Sequence, residues 1–325
     1  MQKIIHQIEN RVIPPFHDKN ILFIDIETNG LSHKHKLVII GLVVFHSKSA
    51  HGELIQLFND DFSSEREMLL TLKQIIHEAD IDYFVSFNGN AFDFPFLNAR
   101  FQHYKIDYAI TKAANIDLLK VARMNQKHLN LPDFKLKTVE QYVGIHRTDV
   151  ISGKDSIVLY DAYLESKSDA LRNTILLHNF DDLVNMVPLL KMTETIKLVL
   201  TPILNFRQKK IYLTQYALKG SKLECTLNVT ARLSIRDLFY ETKLIRFECI
   251  RSEIKLNTEC IHLKDAVNNE YHFIYSDLTE SIPFDQASSN VKHDHLIALN
   301  KEIMVENCYK QVFKLCETLI SLLEQ

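Results

Sequence analysis

Hydrophobic positions divide the chain into two stretches with different periods. In the first, residues 21–27 (ILFIDIE) form an apolar run suited to a buried strand, and Asn29 with Gly30 ends it in a turn. Residues 37–45 make a second, β-branched run, and residues 54–58 alternate weakly as a third strand. Two hairpin-like connections, at Asn29–Gly30 and His51–Gly52, suit an antiparallel trio. From Ser63 the spacing turns helical: Met68, Leu69, Leu72, Ile75 and Ile76 recur on one face, with Ser64 as N-cap and Glu67 completing a capping box. Residues 83–87 predict a fourth strand and Asp93 to about Gln102 a helix. Residues 114–119 predict a short fifth strand running into a helix, and residues 136–142 and 168–191 are further helical stretches. The lead-in before residue 20 is short, amphipathic and broken at Pro14–Pro15, and no strand is assigned to it. The expected fold class is α/β, a mixed five-stranded sheet flanked by helices.

Beyond Lys191 the period changes to two. Residues 222–229, much of 243–250, 253–261 and 270–275 alternate as a half-solvated antiparallel sheet, and residues 302–323 close as an amphipathic helix. Thr201–Pro202 marks the boundary, so the expected layout is a first domain over 1–195 and a smaller, β-rich α+β domain over 200–325. No internal repeat or low-complexity segment interrupts it.

A length of 325 residues agrees with two domains, and 46% hydrophobic with 24% charged residues is ordinary for a globular chain. The net charge of −3 removes a global basic field, so any nucleic-acid contact must come from local patches or bound metal. Five scattered cysteines with no CxxC pair argue for reduced thiols in a cytoplasmic protein, against a zinc ribbon or disulfide framework. The start lacks the apolar core of a signal peptide, and no uncharged stretch is long enough to span a bilayer. The expectation is a soluble, cytoplasmic protein with no membrane partner.

Three groups carry candidate chemistry. Asp25 and Glu27 interrupt the first strand two residues apart, and therefore point the same way. Two carboxylates on one face of a buried strand repel and are costly to desolvate, and a divalent cation offsets both penalties. The alternative is an edge strand whose polar face meets water. Asp93 follows the turn Phe87-Asn88-Gly89-Asn90, where a helix cap alone also accounts for it. His178 and Asp182 lie four apart in the last helical stretch, with Asp181 between, for which a solvated charged face is the other reading.

In this order and spacing the three groups resemble the DEDD superfamily of 3′→5′ exonucleases, with the ribonuclease H-like fold. Asp25 and Glu27 match its first motif, Asp93 (after Asn88 and Phe92) its second, and Asp182 its third. Residues 116–119, 136–140, Gly144 with Ile145, and His178 with Asn179 look like the YprB-like branch, so the resemblance covers about residues 20–192. It implies that Asp25, Glu27, Asp93 and Asp182 hold two Mg²⁺ or Mn²⁺ ions about 3.5–4 Å apart and hydrolyse phosphodiester bonds. The substrate so implied is single-stranded or frayed DNA or RNA. Family members place a general base before the last aspartate, a tyrosine with three residues between or a histidine with four. Here His178 stands at the tyrosine spacing. An imidazole acting on the attacking water and a histidine packed against the core both remain open.

Thr28 and Asn88 are the candidate nucleotide contacts beside the acids, and Asn88 equally suits a role in the loop backbone. Asp117 and Asp181 are taken as supporting or structural. Arg207, Lys209, Lys210, Lys219, Lys222, Arg232 and Arg236, interleaved with Tyr212 and Tyr216, form a basic stretch that could track phosphates or simply face water. The rival function is a ribonuclease H-like binding module with weak or no turnover, and a third is internal cutting.

Overall fold

A computed structural model of the chain describes residues 1–10, 12, 16–129, 131–145, 147, 151, 153–194, 201–207, 209–230, 236–264, 270–274, 297–299, 302–303 and 305–324. The chain separates into two compact units, Met1–Val199 and Leu200–Gln325. Pro14–Pro15 and Arg232, both invoked above, lie outside the described residues.

In the first unit the strands are β1 (Gln2–Glu9), β2 (Ile21–Thr28), β3 (Leu37–Phe45), β4 (His51–Phe58), β5 (Tyr83–Ser86) and β6 (Asn115–Asp117). The helices are α1 (Glu65–Glu78), α2 (Asp93–His103), α3 (Leu118–Met124), α4 (Gln126–Leu129), α5 (Leu136–Tyr142), α6 (Gly153–Ser166) and α7 (Asp169–Leu189). Among the described residues the sheet has six strands in the order β1-β4-β3-β2-β5-β6. β1 to β4 and β2 pair antiparallel, while β5 and β6 run parallel to β2. This is the mixed, helix-flanked α/β sheet expected, with one strand more.

The extra strand is β1. It lies at the edge, pairs only with β4, and leaves Ile5 49% exposed, so it never shows the apolar run that marks an inner strand. A second correction concerns His51–Gly52, which lies inside β4 rather than in the hairpin turn. A Cβ on Gly52 would come within 2.3 Å of the Phe45 ring, so glycine here admits a neighbouring side chain. The capping box is also absent: Ser64 makes no cap bond, and its hydroxyl accepts from the Met1 amino group at 2.7 Å.

β2 and β3 are buried along nearly their whole length, as strands covered on both faces must be. α7 crosses β2, β3 and β4 and also packs on α6, whose Tyr160 and Tyr163 rings seat against Phe58. α1 and α2 are tied by a buried ion pair in which Arg100 donates to both Glu65 oxygens, at 2.7 and 2.6 Å. Glu65 also accepts from the Leu37 amide at 3.1 Å, which fixes the start of β3.

The second unit is built from β7 (Ile203–Phe206), β8 (Lys209–Lys219), β9 (Lys222–Val229), β10 (Leu238–Glu241), β11 (Ile245–Ile250), β12 (Glu253–Lys264), β13 (Glu270–Ile274), β14 (Ala298–Leu299), β15 (Glu302–Ile303) and α8 (Val305–Leu323). Its pairings are antiparallel, and the long β12 carries β9 on one edge and β11 followed by β13 on the other. Leu223, Cys225, Leu227 and Val229 on β9, with Ile245, Phe247 and Cys249 on β11, form one buried face covered by Val312, Leu315, Cys316 and Leu319 of α8. The period-two pattern foresaw this face. All five cysteines are free and buried. No helix among the described residues is long and apolar enough to cross a membrane.

Candidate active site

The acids of β2 project towards α7. Asp25 Oδ2 accepts from Asn179 Nδ2 at 2.8 Å, and Glu27 Oε1 lies 3.5 Å from His178 Nε2. Alternation along the strand thus delivers both carboxyls to one helix, as two residues of separation requires. The same imidazole nitrogen is 3.8 Å from Asp182 Oδ2, one helical turn on. Glu27, His178 and Asp182 each bring a ligand atom within 4.8 Å of the others.

Asp93 arrives from the other side of β2. It is the first residue of α2 rather than its cap, and its Oδ1 accepts from the Ile26 amide at 3.1 Å. The turn before it is held by Asp117, whose carboxylate accepts from the Asn88 and Asn90 amides at 2.9 and 3.2 Å and from Leu119 at the start of α3 at 3.1 Å. Asn88 adopts a φ of 68°, a left-handed conformation that asparagine tolerates, and its carbonyl accepts from Ala91 and Phe92. Of its two expected roles, the backbone one is therefore visible. A Cβ on Gly89 would stand 2.2 Å from Ser86 Oγ, so glycine lets the turn fold onto β5 and bring Asp93 to the acids of β2.

The electrostatics follow from this crowding. Burial raises the Asp25 pKa well above the ordinary carboxyl value, and repulsion from Asp182, Asp93 and Glu27 adds to it, against the Asn179 hydrogen bond. Glu27 is pushed to about 7 by burial, with Asp182 and Asp93 also raising it, while His178 and the Ser156 hydroxyl oppose. Asp93 is likewise raised to about 7 by burial, with Asp117 and Asp182 contributing and the Ile26 amide opposing. Asp182 repels each of these three carboxyls, so the fourth acid, distant in sequence, shares one field with them.

Three supports escaped the sequence reading. The first is a buried amide relay in which Gln56 Nε2 donates to Asn179 Oδ1 at 2.9 Å, orienting the amide that holds Asp25. The second is Gly41, the register partner of Asp25 on β3. A Cβ there would meet Asn179 at 2.2 Å and Leu183 at 2.7 Å, so its absence sets how closely α7 lies on the sheet. The third is Arg147, whose guanidinium donates to both oxygens of the buried Glu140, at 2.6 Å for Nη2, and also bonds Asp182. Burial raises Glu140, and Arg147 opposes that rise. A glycine inside an apolar strand was the signal available for Gly41, and Glu140 already stood in the quoted motif. Nothing local marked Arg147 or Gln56.

The remaining candidates fall elsewhere. The Thr28 hydroxyl donates to the Gly30 carbonyl at 2.8 Å, just beyond a register shift that ends the regular β2–β3 ladder after Glu27. Lys209 and Lys210 open β8 in the second unit. Lys209 is half-buried, and Lys210 is buried and so adds little to an exposed basic surface.

A family model described as the RNase_H superfamily matches residues 22–194. The uncharacterized protein YprB of Bacillus subtilis (strain 168) is 26% identical over 180 residues, which cover 54% of this chain and 42% of that protein. Among solved structures, the family B DNA polymerase from the hyperthermophilic archaeon Pyrobaculum calidifontis is similar at a TM-score of 0.44 and 16% identity, over 59% of this chain and 29% of that one. The chain therefore spans less than half the length of either protein. Because the family match takes in more than half of the chain, including all four acids, His178 and every strand of the sheet but the edge strand β1, the chain belongs to the RNase_H superfamily.

Proposed function

We propose that residues 22–194 form a Mg²⁺- or Mn²⁺-dependent nuclease that removes nucleotides 3′→5′ from single-stranded or frayed DNA or RNA. The observation that carries this reading is the gathering of Asp25, Glu27, Asp93 and Asp182 into one mutually repelling cluster, with the first three buried and pushed above their ordinary carboxyl range. Such a set is costly without cations and well matched to them. Its donors are hard carboxylate oxygens, which favour Mg²⁺ and Mn²⁺ over softer metals. Bound there, a pair of such ions supplies Lewis acidity and neutralises charge on the phosphate.

The protein's own part is positioning. The Gln56–Asn179 relay holds Asp25 in one rotamer, and the Ile26 amide does the same for Asp93. His178, whose Nε2 lies near both Glu27 and Asp182, would orient the attacking water and take its proton. Arg147, held by Glu140, adds a fixed positive charge beside Asp182 that would offset part of the negative charge gathered there. Thr28 and the Asn88 turn border the acids and would flank the terminal nucleotide.

The test is hydrolysis of 3′-labelled DNA and RNA oligonucleotides by the purified chain with Mg²⁺, Mn²⁺ or EDTA. We expect metal-dependent release of mononucleotides, its loss in Asp25→Asn with binding retained, and its loss on 3′-blocked ends. Binding without turnover in every metal would leave the non-catalytic module. Cleavage of end-blocked or circular substrates would leave internal cutting.

A further inference from the structure

The second unit holds a group of metal-ligating side chains that takes no part in this chemistry. His262 on β12 and His272 on β13 are register partners, and their rings stack with centroids 4.6 Å apart and planes 25° apart. Directly opposed residues of an antiparallel pair share a face. Glu270 precedes His272 by two positions and joins them there. Its Oε2 lies 3.8 Å from His262 Nε2, while Oε1 pairs with Lys264 at 2.9 Å. One ligand atom from each of His262, Glu270 and His272 falls within 4.8 Å of the other two.

A separate observation also points to a ligand. His272 is 7% exposed, and its buried Nδ1 has no hydrogen-bond partner among the described residues. Buried polar atoms in folded proteins are almost always answered, so an unanswered nitrogen on an imidazole of this cluster asks what completes it. Burial lowers the His272 pKa and His262 lowers it further, while Glu270 opposes the fall.

We propose that His262, Glu270 and His272 bind one divalent transition ion of the zinc class and so clamp β12 to β13. Two imidazoles and a carboxylate are a zinc-type donor set, unlike the all-carboxylate cluster of the first unit. Tetrahedral zinc brings its ligand atoms to about 3.3 Å from one another, so the donor atoms must close in and the rings turn out of their stacked arrangement on binding. The His262 and Glu270 side chains, 37% and 31% exposed, stand where such movement is possible. The site rests on residues independent of the nuclease reading.

The test uses the full chain stripped with a chelator, returned to millimolar Mg²⁺ to occupy the carboxylate cluster, and titrated with Zn²⁺. Bound metal is counted by equilibrium dialysis, and the melting temperature is followed in parallel. We expect one equivalent of zinc that Mg²⁺ does not displace, and a zinc-dependent rise in melting temperature. Both should be lost in His262→Gln and in His272→Gln. If His272→Gln fails to fold, the partly exposed His262→Gln decides alone. Equal zinc stoichiometry in His262→Gln and wild type, or no zinc retained beside Mg²⁺, overturns the site.

Discussion

His178 is the residue whose role most sharply separates chemistry from packing. It is buried, yet its Nε2 faces two acids rather than apolar side chains, at 3.5 and 3.8 Å. If it handles the proton of the attacking water, His178→Ala should lower kcat by about 10²–10⁴ with little change in KM. The pH dependence of kcat should lose a limb at the same time. Steady-state kinetics across pH checks this, and unaltered kcat with a lowered melting temperature would return the histidine to the core. Asp25, Glu27, Asp93 and His178 could be singled out from sequence because each breaks a local pattern: acids in an apolar strand, an acid after a turn, a histidine one turn before an acid. Arg147 and Gln56 break none. Arg147 is 35 residues from Asp182, and Gln56 is 123 from Asn179, so only the folded chain reveals what they hold.

Among elements, the seating of α7 on the sheet decides whether the site exists, and Gly41 sets it. Asn179 and Leu183 occupy the space a Cβ would need. Gly41→Ala should therefore lift α7 or turn Asn179 away from Asp25, costing about 1–3 kcal/mol as overpacking does. Nuclease activity should fall by a larger factor than stability accounts for, because Asp25 loses its amide support. Denaturant unfolding alongside kinetics separates the two, and full activity in a folded Gly41→Ala would show that the close approach is not needed. Elements whose pattern is set by a two-sided core were legible in advance: β2 and β3 as apolar runs, α1 by its spacing, the period-two strands of the second unit. Others carry their burial differently. β1 has one neighbour and a mostly exposed face. α6 buries Tyr160 and Tyr163, whose hydroxyls bond the Asn59 carbonyl and Asp60, so its inner face does not read as aliphatic.

For the whole molecule, the acid cluster makes stability depend on pH and metal together. Glu27 and Asp93 are raised to about 7 from 4.5 and 3.8, and Asp25 is raised as well. Their stabilising contribution is full when they are protonated in both states. It is lost as pH climbs through the window from about 3.8 to about 7, because the unfolded chain ionises its carboxyls first. The metal-free protein should accordingly melt at a higher temperature at pH 6 than at pH 8. Asp25→Asn removes one charge from the cluster while retaining an oxygen for Asn179, so metal-free Asp25→Asn should melt above wild type at pH 8, with the gap closing towards pH 5. For a unit of this size each ~1 kcal/mol moves the midpoint by about 2–4 °C, within the reach of calorimetry. Added Mn²⁺ should raise the wild-type midpoint more at pH 8 than at pH 6, since ions and protons compete for the same oxygens, and should do much less for the variant. One substitution would then abolish turnover and stabilise the metal-free fold, the signature of charges kept together for binding cations rather than for folding. Were Asp25→Asn less stable than wild type at pH 8 without metal, the four acids would be structural partners, and the repulsion that points to cations would be absent.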